Sequence, residues 1–162
     1  MVKFHITAFG KFQGFDVNPT SQLLKQLSSY LDQHPLENKN DVHISSETII
    51  EVSAVAALFY MCELQRKHFQ SIKESNSNEP TVFIHFGVGA SQKNFRLESC
   101  AWNEASFRCP DERGWTPQHQ LIIPENNTLD HCMHTTLPLV AVYEKLLPHY
   151  DIAISTDPGR FL

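Results

Sequence analysis

The spacing of apolar residues predicts strands and helices that alternate along the chain. Every second residue from Val2 to Ile6 is apolar, which is typical of a strand, and a loop with glycines follows it. Thr20 or Ser21 can cap a helix whose leucines recur at helical spacing as far as Leu31. The same reasoning predicts a short strand within Val42–Ile50, a long helix over Glu51–Ile72 with Val55, Leu58, Met61, Leu64 and Phe69 on its apolar face, a helix within Leu129–Leu147 that restarts near Pro138, and a last strand over Ile152–Ile154.

The stretch over residues 81–113 is predicted to hold the centre of the sheet. Its apolar run over 82–88 is typical of a strand buried on both faces, and it ends in glycines that let a ligand come close. Phe95 and Leu97 alternate with polar residues in a second strand, which puts Glu98 on the face opposite Leu97. Strands that alternate with helices predict an open, twisted, largely parallel α/β sheet with helices on both faces, an α/β/α sandwich.

Composition narrows the class of protein. With 162 residues, of which 41% are hydrophobic and 19% charged, we expect a single globular domain over residues 1–162. The net charge of −5 gives no basic surface for nucleic acid. The longest apolar run, Val52–Cys62, is too short to span a membrane, and the N-terminus does not have the pattern of a signal peptide. We therefore expect a cytoplasmic protein whose four cysteines stay reduced.

The residues that could carry chemistry are few when each is taken alone. Glu98 is either a placed carboxylate or an ordinary strand residue that pairs with Arg96 or Arg108. Cys62 lies inside a predicted helix and is expected in the core. Cys100 follows closely on Glu98, whose charge would raise the pKa of the thiol rather than activate it. None of the four cysteines stands out as a nucleophile.

A metal site is a weaker alternative. The run Asp130–His134, together with Cys100 and Cys109, offers side chains of the types that bind zinc, but their spacing matches no common zinc pattern. We therefore expect no metal and no other cofactor. The glycines at 87 and 89 do not form a phosphate-binding loop either, because the third glycine and the Lys-Ser/Thr ending are missing.

Three separated segments carry motifs of a known family. Ala8–Gly14 (AFGKFQG) with Asn18–Thr20 (NPT) is similar to an opening of the form GF-x-PFGG…NPT. Ile84–Asp111 is similar to a block of the form H-V-G…E-R-x-A-x-N…R-I-P-D. Thr135–Pro138 and Ile154–Leu162 are similar to the segments that lead into a catalytic cysteine. Together they resemble the pyroglutamyl-peptidase I (pyrrolidone-carboxylate peptidase) family of cysteine peptidases, in the family's order and over essentially the whole chain.

The resemblance implies an activity and roles for particular residues. Such enzymes remove an N-terminal pyroglutamate from peptides with a Cys–His–Glu triad and no metal, so the implied partner is a pyroglutamyl peptide. Glu98 matches the triad carboxylate, which would orient and charge-stabilise the imidazole. Phe9 and Phe12 match aromatic residues that line the pocket for the pyroglutamate ring, and Arg108 matches a site arginine.

The chain also departs from the family's pattern. The family's nucleophile directly follows an aromatic-Leu pair, which here is Phe161-Leu162, and the catalytic histidine comes later on a further strand. We therefore expect a domain that is incomplete at its C-terminus, without its last strand and helices, and that is inactive as given. Lys11 and Gln13 replace the usual Pro and Gly of the opening motif. A fragment of a full enzyme and a non-catalytic relative that binds pyroglutamyl peptides or a protein partner both remain open.

Overall fold

The computed structural model describes residues 1–38, 41–75, 79–89 and 93–158, and the chain divides into two compact units. The first unit comprises Met1–Val88 together with Asp111–Trp115. The second comprises Gly89–Pro110 together with Thr116–Leu162. A single domain over residues 1–162 stays a prediction.

The first unit is built on a parallel three-stranded sheet in the order β2-β1-β3. Its elements are β1 (Val2–Phe9), α1 (Pro19–Gln33), β2 (Val42–Ile50), α2 (Ala54–Ser75) and β3 (Thr81–Phe86). Each helix connects two parallel strands, as parallel pairing requires, because the chain must cross back to the starting edge of the sheet. The predicted strands and helices of this part of the chain are therefore confirmed, with shifts of a few residues at their ends.

Helix α1 begins earlier than predicted. Asn18, not Thr20 or Ser21, is the N-cap, and its side-chain oxygen accepts from the Thr20 N–H at 3.0 Å. Pro19 occupies the first turn, where its missing N–H is harmless and its fixed φ favours the helix. The Asn-Pro-Thr segment of the opening motif is thus a helix start.

The core of the first unit lies between α1 and the sheet. Ile6 and Ala8 of β1 and Leu24 of α1 form a buried cluster. The partly buried side chains that pack against it are Phe4, Leu27, Ile44, Ile84 and Phe86. The predicted strand β3 is present, but it is only partly buried along its length, so the prediction that it is buried on both faces was wrong.

The apolar face predicted for α2 was wrong at three of its five positions, whereas Met61 is partly buried. Leu64 is buried, but Val55, Leu58 and Phe69 are more than half exposed, and Cys62 is exposed rather than in the core. With 3.6 residues per turn, these four side chains lie about 120–180° around the helix from Leu64. The helix therefore buries a different face, because the apolar residues of α2 are spread around its circumference.

The described residues of the second unit form three short two-stranded ladders. The strands are β4 (Phe95–Glu98), β5 (Cys100–Trp102), β6 (Glu104–Ala105), β7 (Gln120–Leu121), β8 (Cys132–His134) and β9 (Ile152–Ser155). The pairs are β4-β9, which is parallel, and β5-β8 and β6-β7, which are antiparallel. A short 3-10 helix over Pro124–Asn126 precedes β8.

Helix α3 (Leu139–Leu146) contacts β9 and is shorter than the predicted helix over Leu129–Leu147. It begins after Pro138, as the restart near that proline predicts, because proline lacks an N–H donor and is tolerated only at the start of a helix. The residues before it form β8 instead.

The α/β class is confirmed by the parallel ladders and by the helices that connect or contact their strands. Helices on both faces of one sheet stay a prediction. Among the described residues, no helix combines the length and the apolar character that crossing a membrane requires.

Candidate functional site

Glu98 is the last residue of β4 and pairs with Ser155 of β9. Its Oε2 atom is buried and has no hydrogen-bond partner among the described residues. Neither Arg96 nor Arg108 forms a salt bridge with it in the described part of the chain. The interpretation of Glu98 as an ordinary surface ion pair therefore loses its support, since a buried carboxylate oxygen is normally satisfied.

The segments flanking Glu98 are held by hydrogen bonds within the second unit. Both the N–H and the hydroxyl of Ser99 donate to the carbonyl of Ser155 at 2.8 Å. The N–H of Thr135 donates to the carbonyl of Ser99 at 3.0 Å. The structure thus brings the Thr135–Pro138 motif beside the end of β4, where Ser99 and this motif line a cleft of about 540 Å³.

Phe9 and Phe12 stand in one loop of the first unit. Phe9 ends β1, and its N–H donates to the Thr20 hydroxyl at 3.2 Å. Phe12 and Phe15 exchange backbone hydrogen bonds of 3.2 and 2.9 Å around a two-residue turn. Phe9 and Phe12, the two aromatic residues that the sequence predicts for the pocket, are both partly buried, and hydrogen bonds hold their backbones in place.

The turn after Phe12 requires an unusual backbone conformation. Gln13 has φ of 50° and Gly14 has φ of 77°, so both central residues are left-handed, as in a type I′ turn. Gln13 stands at the family's usual glycine, and its N–H donates to Glu112 Oε1 at 2.9 Å. The loop therefore keeps a turn that suits glycine although it carries glutamine.

Arg108 is exposed and lies in the second unit with Glu98. It lines a cleft of about 350 Å³ with Phe107, Gln118 and their neighbours. The amide of Gln118 donates to the Phe107 carbonyl at 2.7 Å, which fixes the wall of this cleft. A guanidinium at the rim of a cleft is suited to bind a carbonyl or carboxylate group.

A carboxylate that the sequence reasoning missed, that of Glu104, meets the imidazole of His119, which lines the same cleft. Glu104 is buried, and its Oε1 lies 2.7 Å from His119 Nδ1. The hydroxyl of Ser106 donates to the same carboxylate at 3.3 Å and accepts from the His119 N–H at 2.9 Å. The two partners are 15 residues apart and meet through the β6-β7 ladder, which is too short to show a pattern in the sequence. The arrangement orients an exposed imidazole.

The Asp at the end of the Arg-x-Pro-Asp segment anchors the first unit. The buried carboxylate of Asp111 accepts three backbone hydrogen bonds, from Ala54 at 3.0 Å and from Arg113 and Trp115 at 2.9 Å each. Burial raises the pKa of Asp111, but the donors from Trp115, Ala54 and Arg113 outweigh it and lower that pKa below its ordinary value. Its role is therefore structural.

Cys100, Cys132 and His134 come together in the second unit, although their spacing along the chain matches no common zinc pattern. One ligand atom from each lies within 4.8 Å of the others. Burial, and then a hydrogen bond with the Cys100 thiol, raises the pKa of Cys132. Cys109, Asp130 and His131, the other side chains of ligand type that the sequence offers here, are not part of this group.

The first unit thus carries Phe9 and Phe12, and the second carries Glu98 and Arg108. These features define an α/β protein with a carboxylate oxygen at a strand end that has no partner among the described residues, and with aromatic side chains in a glycine-containing loop. No family model matches the chain.

Curated relatives and solved structures specify the class further. The chain is 29% identical over 163 residues to the pyrrolidone-carboxylate peptidase of Thermococcus litoralis, covering 64% of that protein, and 26% identical over 165 residues to that of Pyrococcus furiosus, covering 68%. The chain spans about two thirds of the length of the curated relatives it matches.

The fold agrees with these matches. A crystal structure of the pyrrolidone carboxyl peptidase from Fervidobacterium islandicum aligns with 99% of this chain and 67% of its own, with a TM-score of 0.72 and 22% identity. A mutant of the Pyrococcus furiosus peptidase aligns with a TM-score of 0.70 and 24% identity, over 97% of this chain and 66% of its own. The resemblance seen in the sequence is confirmed: the chain is similar to pyrrolidone-carboxylate peptidases in sequence and in fold.

Proposed function

We propose that these residues form the scaffold of a cysteine-type pyroglutamyl peptidase, which removes N-terminal pyroglutamate from peptides in the cytoplasm. The observation that carries the proposal is the buried Oε2 of Glu98, which has no partner among the described residues. A carboxylate in this state is suited to accept a hydrogen bond from an imidazole. The names of the relatives, which are all pyrrolidone-carboxylate peptidases, supply the reaction.

Glu98 would act through a histidine rather than on the substrate. Its carboxylate would fix the imidazole ring, hold its tautomer and stabilise the imidazolium that forms when the thiol gives up its proton. The end of β4 suits this task because Ser99 is tied to Ser155 and Thr135 on either side. Preorganisation of this kind matters because a carboxylate that moves cannot orient its partner.

The remaining site residues would bind the substrate. Phe9 and Phe12 would hold the flat pyroglutamate ring between aromatic faces, and the fixed turn after Phe12 supports this assignment. Arg108 would bind a carbonyl of the peptide from the rim of its cleft. These roles come from the family resemblance, and the positions of the side chains support them within each unit.

A polypeptide of residues 1–162 alone should not hydrolyse pyroglutamyl substrates. None of its four cysteines matches the position of the family's nucleophile: Cys62 is on α2, Cys109 is in a loop, and Cys100 and Cys132 face each other. Incubation with a pyroglutamyl-coumarin substrate tests this. Turnover that thiol alkylation abolishes would show that a resident cysteine is the nucleophile.

The transcript beyond the codon for Leu162 tests the enzyme proposal directly. Continuation into a cysteine and a later histidine would support it, and Glu98→Gln in that longer protein should then lower kcat by about 10³–10⁴-fold. Glu104→Gln is a matched control, because Glu104 is a buried glutamate of the same unit whose carboxylate already has partners. Equal losses in the two variants would contradict the role of Glu98. A stop codon after Leu162 would favour the alternative.

The alternative is a non-catalytic relative that binds pyroglutamyl peptides or a protein partner. The exposed apolar side chains of α2, among them Val55, Leu58 and Phe59, favour a protein partner. Calorimetric titration with a pyroglutamyl peptide and with the same peptide beginning in glutamine separates the two kinds of binding. Tighter binding of the pyroglutamyl peptide would indicate a substrate-type pocket. Equal heats of binding for the two peptides would rule out such a pocket.

A further inference from the structure

Three side chains on one face of the β5-β8 ladder have the composition of a metal site. Cys100 pairs directly with His134 across the ladder, and Cys132 pairs with Trp102. Residues two apart on a strand share a face, and so do directly opposed residues. The antiparallel register therefore places both thiols and the imidazole on the same side, which explains why their ligand atoms all lie within 4.8 Å of one another.

The distances fit a tetrahedral ion. Zinc binds thiolate sulfur at about 2.3 Å and imidazole nitrogen at about 2.0–2.1 Å, so neighbouring ligand atoms in a tetrahedral site lie about 3.5–3.8 Å apart. Cys132 Sγ and His134 Nε2 are 3.8 Å apart. The third ligand atom needs to move by less than about 1 Å, because the whole group already lies within 4.8 Å.

The surroundings of Cys100 connect this group to the end of β9. The Cys100 thiol donates to the carbonyl of Thr156 at 3.5 Å, and the indole N–H of Trp102 donates to the same carbonyl at 2.9 Å. Metal binding would release the Cys100 proton, since the thiolate is the ligand. The Thr156 carbonyl would keep the Trp102 donor, so metal binding would not leave this carbonyl without a partner.

We propose that Cys100, Cys132 and His134 bind one Zn²⁺ ion, with the fourth position left to water. Two thiolates and an imidazole suit Zn²⁺, while Mg²⁺ and Ca²⁺ prefer oxygen ligands. The β5-β8 ladder is only three residue pairs long, and a two-stranded ladder is marginally stable by itself. The ion would therefore act as a clamp between the two strands. This proposal does not depend on the peptidase function.

The test is a metal titration of the reduced, metal-free chain. We expect one equivalent of Zn²⁺ to bind in competition with a chromophoric chelator, and Co²⁺ to give thiolate charge-transfer and tetrahedral d–d absorption bands. Zn²⁺ should also raise the Tm. His134→Gln, which changes an exposed side chain, and Cys132→Ser should each weaken zinc binding by at least about tenfold and remove the rise in Tm.

Two variants serve as matched controls. His131→Gln removes the histidine just before β8, and Cys62→Ser removes an exposed thiol of the first unit. Both should bind zinc as the unchanged chain does. Binding that is equal in His134→Gln, Cys132→Ser and the unchanged chain would overturn the proposal. So would a disulfide between Cys100 and Cys132 that persists under the same reducing conditions, because a disulfide cannot bind the ion.

Discussion

Asp111 gives the sharpest prediction about stability in the first unit. Its carboxylate connects the loop over 111–115 to the first turn of α2, where the Ala54 N–H donates to Oδ2. The N–H groups of Arg113 and Trp115 donate to Oδ1. The first N–H groups of a helix have no partner within the helix, so a carboxylate there replaces a missing acceptor. Asp111→Ala removes all three acceptor contacts at once.

The expected loss is about 2–4 kcal/mol in the free energy of unfolding. Loss of an acceptor at a helix N-terminus destabilises by about 1–2 kcal/mol. The turn donors of Arg113 and Trp115 lie among exposed residues and regain water, so each contributes about 0.5–1 kcal/mol. Asp111→Asn should lose about half as much free energy of unfolding. Its amide keeps one oxygen, which can accept either from the Ala54 N–H or from the N–H groups of Arg113 and Trp115.

The contribution of Asp111 should depend on pH. Its pKa in the folded state is lowered below the ordinary value of 3.8, so the folded protein binds fewer protons than the unfolded chain between the two values. The stabilisation is therefore fully present above the unfolded-state pKa and is lost as the pH falls through the folded-state pKa. Asp111→Asn does not titrate, so its deficit should shrink as the pH falls through that window.

Urea unfolding followed by circular dichroism, at neutral pH and through the acid range, measures both effects. Glu51→Gln is the control, because Glu51 is an exposed carboxylate in the same region and pairs with Arg113. That control should shift the unfolding midpoint only slightly. An Asp111→Ala deficit below about 0.5 kcal/mol, or a deficit of Asp111→Asn that does not change with pH, would refute the reasoning.

Three further substitutions test the packing and the turns. Leu24→Ala should lower the free energy of unfolding in urea by about 2–5 kcal/mol, because Leu24 is buried in the core. Leu23→Ala, on the exposed side of α1, should change it by less than about 1 kcal/mol. Similar losses in the two variants would contradict the assigned face of α1. Gln13→Gly should raise the Tm and the free energy of unfolding by up to about 1 kcal/mol, since it relieves a left-handed residue, and Gln13→Val should lower both; equal effects would rule out backbone strain. Asn103→Asp should cost about 3 kcal/mol in thermal unfolding at neutral pH, because its amide donates to the carbonyls of Ile123 and Thr128, and a Tm unchanged from the parent would exclude this tether.

The parts of the fold that the sequence predicted are those with long, regular periodicity. Strand β1 and helix α1 each repeat their pattern over eight residues or more, so burial and propensity agree. Strands β4 and β9 were also predicted, but the β5-β8 and β6-β7 ladders were missed because strands of two or three residues carry no measurable period. Helix α2 was found, but its buried face was not, since apolar residues surround it and only packing decides which of them the sheet covers.

The candidate site was predictable only where a motif carried it. Glu98 was found through its place in a strand and through the family resemblance, and the structure added that its Oε2 is buried without a partner. The contact between Glu104 and His119 and the group around Cys100 depend on strand register, which brings residues distant in sequence together. Spacing along the chain contains no information on that register when the turns between the strands are long and irregular.

Among the described residues, the buried carboxylates of Asp111 and Glu104 allow a comparison that singles out Glu98, whose Oε2 is buried. Asp111 accepts three backbone N–H donors, and Glu104 accepts from Ser106 and meets His119. Both are satisfied by the chain itself, as buried polar groups normally are. Glu98 Oε2 alone among these has no partner within the described residues, and leaving such an atom buried costs about 1–3 kcal/mol. A serine or arginine next to Glu98 could have supplied a donor to Oε2, as other groups do for Asp111 and Glu104. The orphaned oxygen is therefore most simply explained by a donor that binds it in the working protein, and the histidine of the proposed triad would be such a donor.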